Sequence, residues 1–110
     1  GKMYIACGMT REGRKQVAAI HYHNVKRWTS FGRKTFKEKN GRQTWEVALI
    51  IPLDVMTSHH LRHPRGMTMR ANFYKCGDKL AKPHFLSWNP VDCDHPDFHR
   101  PSSFGKITFV

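Results

Sequence analysis

The chain has 110 residues, of which 39% are apolar, and its 19 Lys and Arg against 8 Asp and Glu give a net charge of +11. This length fits one compact domain with a small core, so we predict a single domain over residues 1–110. The sequence has no apolar run long enough to cross a membrane and no recognisable signal peptide. Membrane insertion is therefore not expected.

The three cysteines, Cys7, Cys76 and Cys93, are too few for a disulfide framework. We expect them to be buried thiols, although one bridge would be compatible with the count. The apolar and aromatic content is too high for a disordered basic tail. The sequence therefore indicates a folded, positively charged domain.

Most of the positive charge lies in one third of the chain. Ten Lys and Arg and only two acids occur from Arg11 to Arg42, which gives this segment a charge of +8. A field of this sign attracts polyanions, nucleic acids included, at low salt. A solvated, loop-rich face is the simpler interpretation, because the charges come in pairs separated by turn-forming residues.

Short strands dominate the predicted secondary structure. Residues 17–23 form either a strand or a helical turn, and residues 92–101 form an extended loop. Asn40-Gly41 indicates a hairpin turn. A short helix is predicted over residues 53–61, after the strand from Trp45 to Ile51, with Asp54 as its N-cap. The predicted strands are residues 2–7, 25–30, 45–51, 67–75, 84–88 and 105–110.

The strand over residues 67–75 has two distinct faces. Met67, Met69, Ala71 and Phe73 alternate with polar residues and are expected to face a core. The polar row consists of Thr68, Arg70, Asn72 and Tyr74. Such a row is either a wet sheet face or a binding surface, and the pattern alone does not decide between them.

Histidine and cysteine clusters suggest metal sites only weakly. His59 and His63 would share one face of the predicted helix, but the Glu of a zinc protease is missing. Cys76, Cys93, His95 and His99 include ligand types without a Cys-x-x-Cys spacing. We therefore predict no metal site at either place.

A succession of motifs in the second half of the chain is specific in order and spacing. It resembles the family 9 carbohydrate-binding modules, from about Val25 to Val110 and more weakly before that. Those modules are longer than 110 residues, and the chain resembles their C-terminal part. The motifs are Trp45-Glu46, Ile51-Pro52, Arg70-Ala71-Asn72-Phe73-Tyr74, Leu86-Ser87-Trp88-Asn89-Pro90, Phe98-His99-Arg100-Pro101 and Phe104-Gly105.

The resemblance implies an all-β antiparallel sandwich, incomplete in this chain, and a sugar site. The family's stacking Trp corresponds to Phe98, and a polar contact upstream of it falls near His95. Arg70, Asn72 and Tyr74 lie on the strand that resembles the binding side. An aromatic ring covers the apolar face of a pyranose, while planar polar groups hold its hydroxyls. Trp88 is expected to be a packing residue, and Trp45 a core residue.

Structural calcium is a further implication of the resemblance. Asp92, Asp94 and Asp97, with Asp78, would supply its oxygens, but the spacing matches no calcium loop. Glycoside hydrolysis needs two facing carboxylates, one of them with a raised pKa, and exposed loop acids do not provide that. We therefore predict a non-catalytic domain.

We conclude from the sequence that the chain is a module that binds a sugar or oligosaccharide derived from xylan or glucan. The resemblance also implies a role in polysaccharide degradation, beside a xylanase. An extracellular or periplasmic location would follow from the resemblance. The alternative is a basic nucleic-acid-binding module that uses the segment from Arg11 to Arg42, with Trp28 and Phe31 as stacking groups. An incomplete sandwich would also favour self-association through unpaired strand edges.

Overall fold

The computed structural model describes residues 3–110, which divide into two compact units. The first unit ends at Arg62, and the second is His63–Val110. Strands and short 3-10 turns are the only regular elements in the described residues. The all-β class is confirmed, although no closed sandwich forms among these residues. The prediction of one domain over residues 1–110 stays a prediction.

The first unit contains two antiparallel strand pairs. Strand β1 (Ala6–Cys7) pairs with β2 (Lys15–Gln16), and β3 (Lys26–Thr29) pairs with β4 (Val47–Ile50). A 3-10 turn occupies Ala19–His21, so the helical alternative holds for that segment. The buried apolar cluster is small: it consists of Tyr22, Val25 and Val55, with Met3, Ile5 and Val17 packed against it.

The helix predicted after the strand from Trp45 to Ile51 is wrong in length. Only a single 3-10 turn forms there, at Leu53–Val55. His60 has a φ of 45°, in the left-handed region, which ends any right-handed helix at that residue. The face shared by His59 and His63 therefore does not exist.

The hairpin predicted around Asn40-Gly41 is present, but its turn is not tight. Strands β3 and β4 pair across a connection of residues 30–46 that has no regular structure. Gly41 has a φ of 80°, the backbone conformation that glycine adopts without strain. The Asn-Gly pair thus marks a bend within a long connection. Trp45, near the end of that connection, is 44% exposed and is not the core residue predicted.

The second unit also contains two antiparallel strand pairs. Strand β5 (Thr68–Ala71) pairs with β8 (Gly105–Thr108), and β6 (Tyr74–Gly77) pairs with β7 (His84–Ser87). The predicted strands 84–88 and 105–110 are confirmed. The predicted loop over residues 92–101 is confirmed up to Arg100. A 3-10 turn follows at Pro101–Ser103.

The strand predicted over residues 67–75 is divided in two. Asn72 and Phe73 lie outside both ladders, so the chain leaves the β5–β8 pair and enters the β6–β7 pair at this point. The carbonyl of Phe73 accepts a hydrogen bond from the Trp88 N–H at 2.9 Å, which extends the second ladder by one step. The polar row from Thr68 to Tyr74 is therefore shared between two strand pairs.

The cysteines are not buried as predicted. Cys7 and Cys76 are exposed, Cys93 is half-buried, and all three are free thiols. The described residues contain no helix that is long and apolar enough to cross a membrane.

Candidate functional site

Phe98 packs on one face of the β6–β7 pair. Residues that lie opposite each other in an antiparallel ladder share a face, so the register puts Tyr74 with Ser87 and Cys76 with Phe85. The Phe98 ring stacks on Tyr74, with centroids 4.3 Å apart and planes at 15°. It meets Phe85 edge-on at 6.0 Å. Phe98 is half-buried, and one of its faces is taken by Tyr74.

A cavity of about 350 Å³ lies beside the Phe98 ring. Its wall is both apolar and polar: aromatic and aliphatic side chains alternate with a hydroxyl, an imidazole and two carboxylates. The volume lies near the lower end of the range for small-molecule sites, about 300–1,000 Å³. The lining residues are Phe85, Leu86, Ser87, Val91, Cys93, Asp94, His95, Pro96, Asp97 and Phe98.

The loop that carries most of this wall is held by Asp97. One oxygen of its carboxylate accepts the His99 backbone N–H at 2.9 Å, and the other accepts Nε of Arg100 at 3.3 Å. Arg100 also donates to the Asp92 carbonyl at 3.0 Å, which ties the two ends of the loop together. The His99 N–H and the Arg100 guanidinium keep the pKa of Asp97 below its ordinary value.

His95 lies in the same loop and lines the cavity. Its backbone carbonyl accepts a hydrogen bond from the Cys93 thiol at 2.7 Å, across the bend at Asp94 and His95. The structure thus brings His95 and Phe98 to one cavity, with Tyr74 behind the Phe98 ring. The Tyr74 hydroxyl is buried and has no hydrogen-bond partner among the described residues.

Arg70 lies apart from the cavity wall. Its guanidinium donates to the Phe104 carbonyl from Nε at 3.0 Å and from Nη2 at 2.7 Å, and Nη2 also reaches the Ser102 carbonyl at 3.3 Å. These bonds fix the 3-10 turn against strand β5. Arg70 is an exposed side chain, but the structure shows it holding main-chain carbonyls.

Asn72 uses every hydrogen-bonding group that its amide offers. Its Nδ2 donates to the carbonyls of Asn89 and Ser103, at 2.8 and 3.1 Å. Its Oδ1 accepts the backbone N–H groups of Phe73 and Asn89, both at 2.9 Å. Two donors and two acceptor positions are all that an amide has. The sugar-binding roles predicted for Arg70, Asn72, Tyr74, His95 and Phe98 stay predictions.

The side chains around the acids named for calcium were compared with the needs of a metal site. Among the described residues, no group of three or more His, Cys, Asp or Glu side chains could hold a metal ion. Asp97, one of the acids named for it, already directs both oxygens to the His99 N–H and to Arg100. The structural calcium implied by the resemblance stays a prediction.

Sequence reasoning missed the strand β7 contribution to the cavity. Phe85 and Ser87 share the face on which Phe98 packs, while Leu86 was noted only as part of a motif. The alternation within residues 84–88 already placed Phe85 and Ser87 on one face. The sequence alone does not give the register between β6 and β7. That register places Tyr74 on the same face as Phe85 and Ser87.

Trp88 lies at the end of β7, where it was expected to pack. Its ring lies over Gly105, where an added Cβ would be 2.8 Å from Cζ3 of the indole. It also meets the Phe73 ring at a centroid distance of 5.6 Å. The indole is nevertheless about half exposed, so it covers the start of β8 without being buried.

Comparison with known proteins identifies the family. The sequence matches the profile of carbohydrate-binding family 9 over residues 1–109. The chain therefore belongs to carbohydrate-binding family 9, and the match is wider than the motifs in the second half of the sequence indicated.

A solved structure from Bacteroides uniformis ATCC 8492, described as a candidate carbohydrate-binding protein, is similar in sequence and fold. It is 40% identical over 100% of this chain, with a TM-score of 0.84. The chain spans 50% of that protein's length. No curated protein matched the sequence.

Proposed function

We propose that the cavity beside Phe98 binds a sugar without chemical conversion. The observation that carries this proposal is the combination of a half-buried aromatic ring, an imidazole and two carboxylates around one cavity of about 350 Å³. Apolar rings cover the C–H face of a pyranose, and polar side chains exchange hydrogen bonds with its hydroxyls. Membership of carbohydrate-binding family 9 supports the same ligand class.

The roles of the five predicted residues differ in this proposal. Phe98 contacts the ring face of the sugar, and His95 contacts its hydroxyls. Tyr74 supports Phe98 from behind. Arg70 and Asn72 position the main chain of residues 102–104 and 89. Xylan- and glucan-derived oligosaccharides are the ligands we propose, from the resemblance to the family's modules.

The lowered pKa of Asp97 supports binding without catalysis. A glycosidase requires one carboxylic acid that stays protonated near neutral pH. Asp97 has a lowered pKa because the His99 N–H and Arg100 stabilise its charged form, so it is ionised at that pH. An ionised Asp97 accepts hydrogen bonds from a sugar but does not donate a proton to a leaving group.

An NMR titration with xylo- and cello-oligosaccharides tests the proposal. Signals of Phe98 and His95 should shift with a dissociation constant between about 1 μM and 1 mM, since one open platform excludes little water. Phe98→Ala should remove the response. Phe73→Ala should preserve it, because Phe73 is an exposed phenylalanine that does not line the cavity.

The nucleic-acid alternative would give a different pattern of shifts. Binding to the basic segment would move signals near Trp28 and weaken steeply with added salt. Sugar stacking should hardly respond to salt. Flat Phe98 and His95 signals up to about 10 mM oligosaccharide would exclude the sugar proposal.

A further inference from the structure

The β3–β4 pair of the first unit is a ribbon that exposes large apolar side chains on both of its faces. The register places Trp28 opposite Ala48, and Ile50 follows on the same face; Val47 and Leu49 lie on the other face. These four large side chains are between 52% and 66% exposed. An isolated two-stranded ribbon is marginally stable at best in water. The ribbon therefore offers apolar surface to another polypeptide.

The two edges of this ribbon differ in charge. In the described part of the chain, neither β3 nor β4 pairs with a further strand. Strand β3 begins with Lys26 and Arg27, and such charges protect an edge from pairing with another chain. Strand β4 reads Val-Ala-Leu-Ile and carries no charge or proline. The β4 edge is therefore the one that can accept a strand.

Main-chain groups of β4 point outward at alternate residues. The Ser30 N–H donates to the Glu46 carbonyl at 3.1 Å, which marks this as a hydrogen-bonded pair. Bonded and non-bonded pairs alternate along an antiparallel ladder. It follows that Ala48 and Ile50 bond to β3, while Val47 and Leu49 direct their N–H and C=O groups to the open edge.

We propose that a second copy of this chain adds its own β4 to this edge, antiparallel, in a sheet of order β3-β4-β4-β3. In the register that uses every outward residue from Trp45 to Ile51, Val47 pairs with Leu49 of the partner subunit. Trp45 then pairs with Ile51 of the partner subunit. Both of these cross-strand pairs are apolar, and a two-fold axis closes the assembly at two copies.

The positive charge of the chain sets the salt dependence of this pairing. The basic β3 strands lie at the outer edges of the sheet, three strand spacings or about 14 Å apart. The Debye length is about 8 Å at 0.15 M salt and about 30 Å at 0.01 M. Repulsion between the two strands is therefore screened at the higher salt concentration only, and the dimer should be tighter there.

The chain as a whole exposes more surface than compact units of its mass would. The chain has an accessible surface of 9973 Å². Two separate compact units of half its mass would together expose only about 7,600 Å². The excess is larger than the roughly 800 Å² that each partner loses in an interface of standard size.

Sedimentation equilibrium of the full chain tests the proposal. The expected result is a monomer–dimer equilibrium that ends at twice the 12.9 kDa of one chain and is tighter at 0.15 M than at 0.01 M salt. A mass that stays at one chain at every concentration would overturn the proposal. Open-ended growth, or an association that weakens with salt, would overturn it too.

Leu49→Lys, with Leu86→Lys as its matched control, locates the interface. Leu49 and Leu86 are exposed to similar extents, 52% and 57%, and both lie within a strand. Leu49→Lys should weaken the dimer at least about tenfold, because each new ammonium group opposes Val47 of the partner subunit and lies diagonal to the other ammonium group. Leu86→Lys should leave it unchanged, and the reverse pattern would assign the interface to β7.

Amide hydrogen exchange gives a readout in the unmodified chain. The N–H groups of Val47 and Leu49 should become protected as the protein concentration rises. Those of Ala48 and Ile50 should be protected at all concentrations, because they already bond to β3. Protection of Val47 and Leu49 that does not change with concentration would contradict pairing through the β4 edge.

Discussion

Asn72 and Asn89 are bonded to each other in both directions. Nδ2 of Asn72 donates to the Asn89 carbonyl at 2.8 Å, and the Asn89 N–H donates to Oδ1 of Asn72 at 2.9 Å. Nδ2 of Asn89 and Nδ2 of Asn72 also share the Ser103 carbonyl as acceptor. The two amides thereby join the end of β5, the end of β7 and the 3-10 turn before β8.

Asn72→Ala should destabilise the protein by about 2–3 kcal/mol. The substitution removes four hydrogen bonds, of which three are half-buried and worth about 1 kcal/mol net each, and leaves main-chain groups without a partner. Denaturant unfolding measures the change. Asn24→Ala, at an exposed asparagine, is the control and should cost less than about 0.5 kcal/mol.

The hydrogen bonds of Asn72 explain why the sequence predicted some strands correctly and one strand incorrectly. The strand signals in residues 25–30, 84–88 and 105–110 are local, and the strands formed there. Residues 67–75 alternate equally well, yet the strand divides at Asn72 because that side chain bonds to Asn89 and Ser103, which lie far along the chain. A one-dimensional pattern does not contain such long-range bonds.

The sequence also predicted only those parts of the candidate site that lie close together along the chain. Phe98 and His95 lie three residues apart in one loop, so sequence alone could place them together, and both line the cavity. Arg70 and Tyr74 share a face only if the strand is continuous. Since the chain changes ladders between them, Tyr74 supports Phe98 while Arg70 bonds to Phe104.

Tyr74→Phe should leave sugar binding unchanged. The Tyr74 hydroxyl has no partner among the described residues, and the ring alone stacks on Phe98. Removing a buried, unpaired hydroxyl should stabilise the fold slightly, by up to about 1 kcal/mol. The NMR titration and denaturant unfolding measure the two effects. A loss of binding in Tyr74→Phe would show that the hydroxyl contacts the ligand directly.

Tyr74→Ala is the companion variant. It removes the stacked ring as well as the hydroxyl, and an aromatic pair is worth about 0.5–1.5 kcal/mol beyond its buried area. Phe98 would lose its support, so sugar binding should weaken along with stability. Equal binding by Tyr74→Ala and the unmodified chain would show that Phe98 needs no support from Tyr74.

Gly105→Ala should destabilise the second unit by about 1–3 kcal/mol, the usual range for overpacking. The new methyl group would lie 2.8 Å from Cζ3 of Trp88 and 3.2 Å from Oδ1 of Asn89. Thermal unfolding measures the change. In a Trp88→Ala background the same substitution should cost less, because the indole is gone. An equal cost in both backgrounds would place the strain in the backbone of β8.

Acid should release the loop that carries Phe98. The pKa of Asp97 is lowered from the ordinary 3.8, chiefly because its carboxylate accepts the His99 N–H, with Arg100 adding to the effect. When folding lowers the pKa of a carboxyl group, its ionised form stabilises the fold at any pH above the pKa in the unfolded chain. This stabilisation is lost as the pH falls through the pKa in the folded protein. The loop should therefore stay ordered down to about pH 4 and loosen below it.

The His99 amide resonance, followed by NMR from neutral pH downward, measures this transition. Asp97→Asn is the matched control, because its amide oxygen still accepts the His99 N–H but has no charge to lose. The acid transition of the loop should be absent in that variant. An acid transition of the loop that persists in Asp97→Asn would show that another group controls the loop.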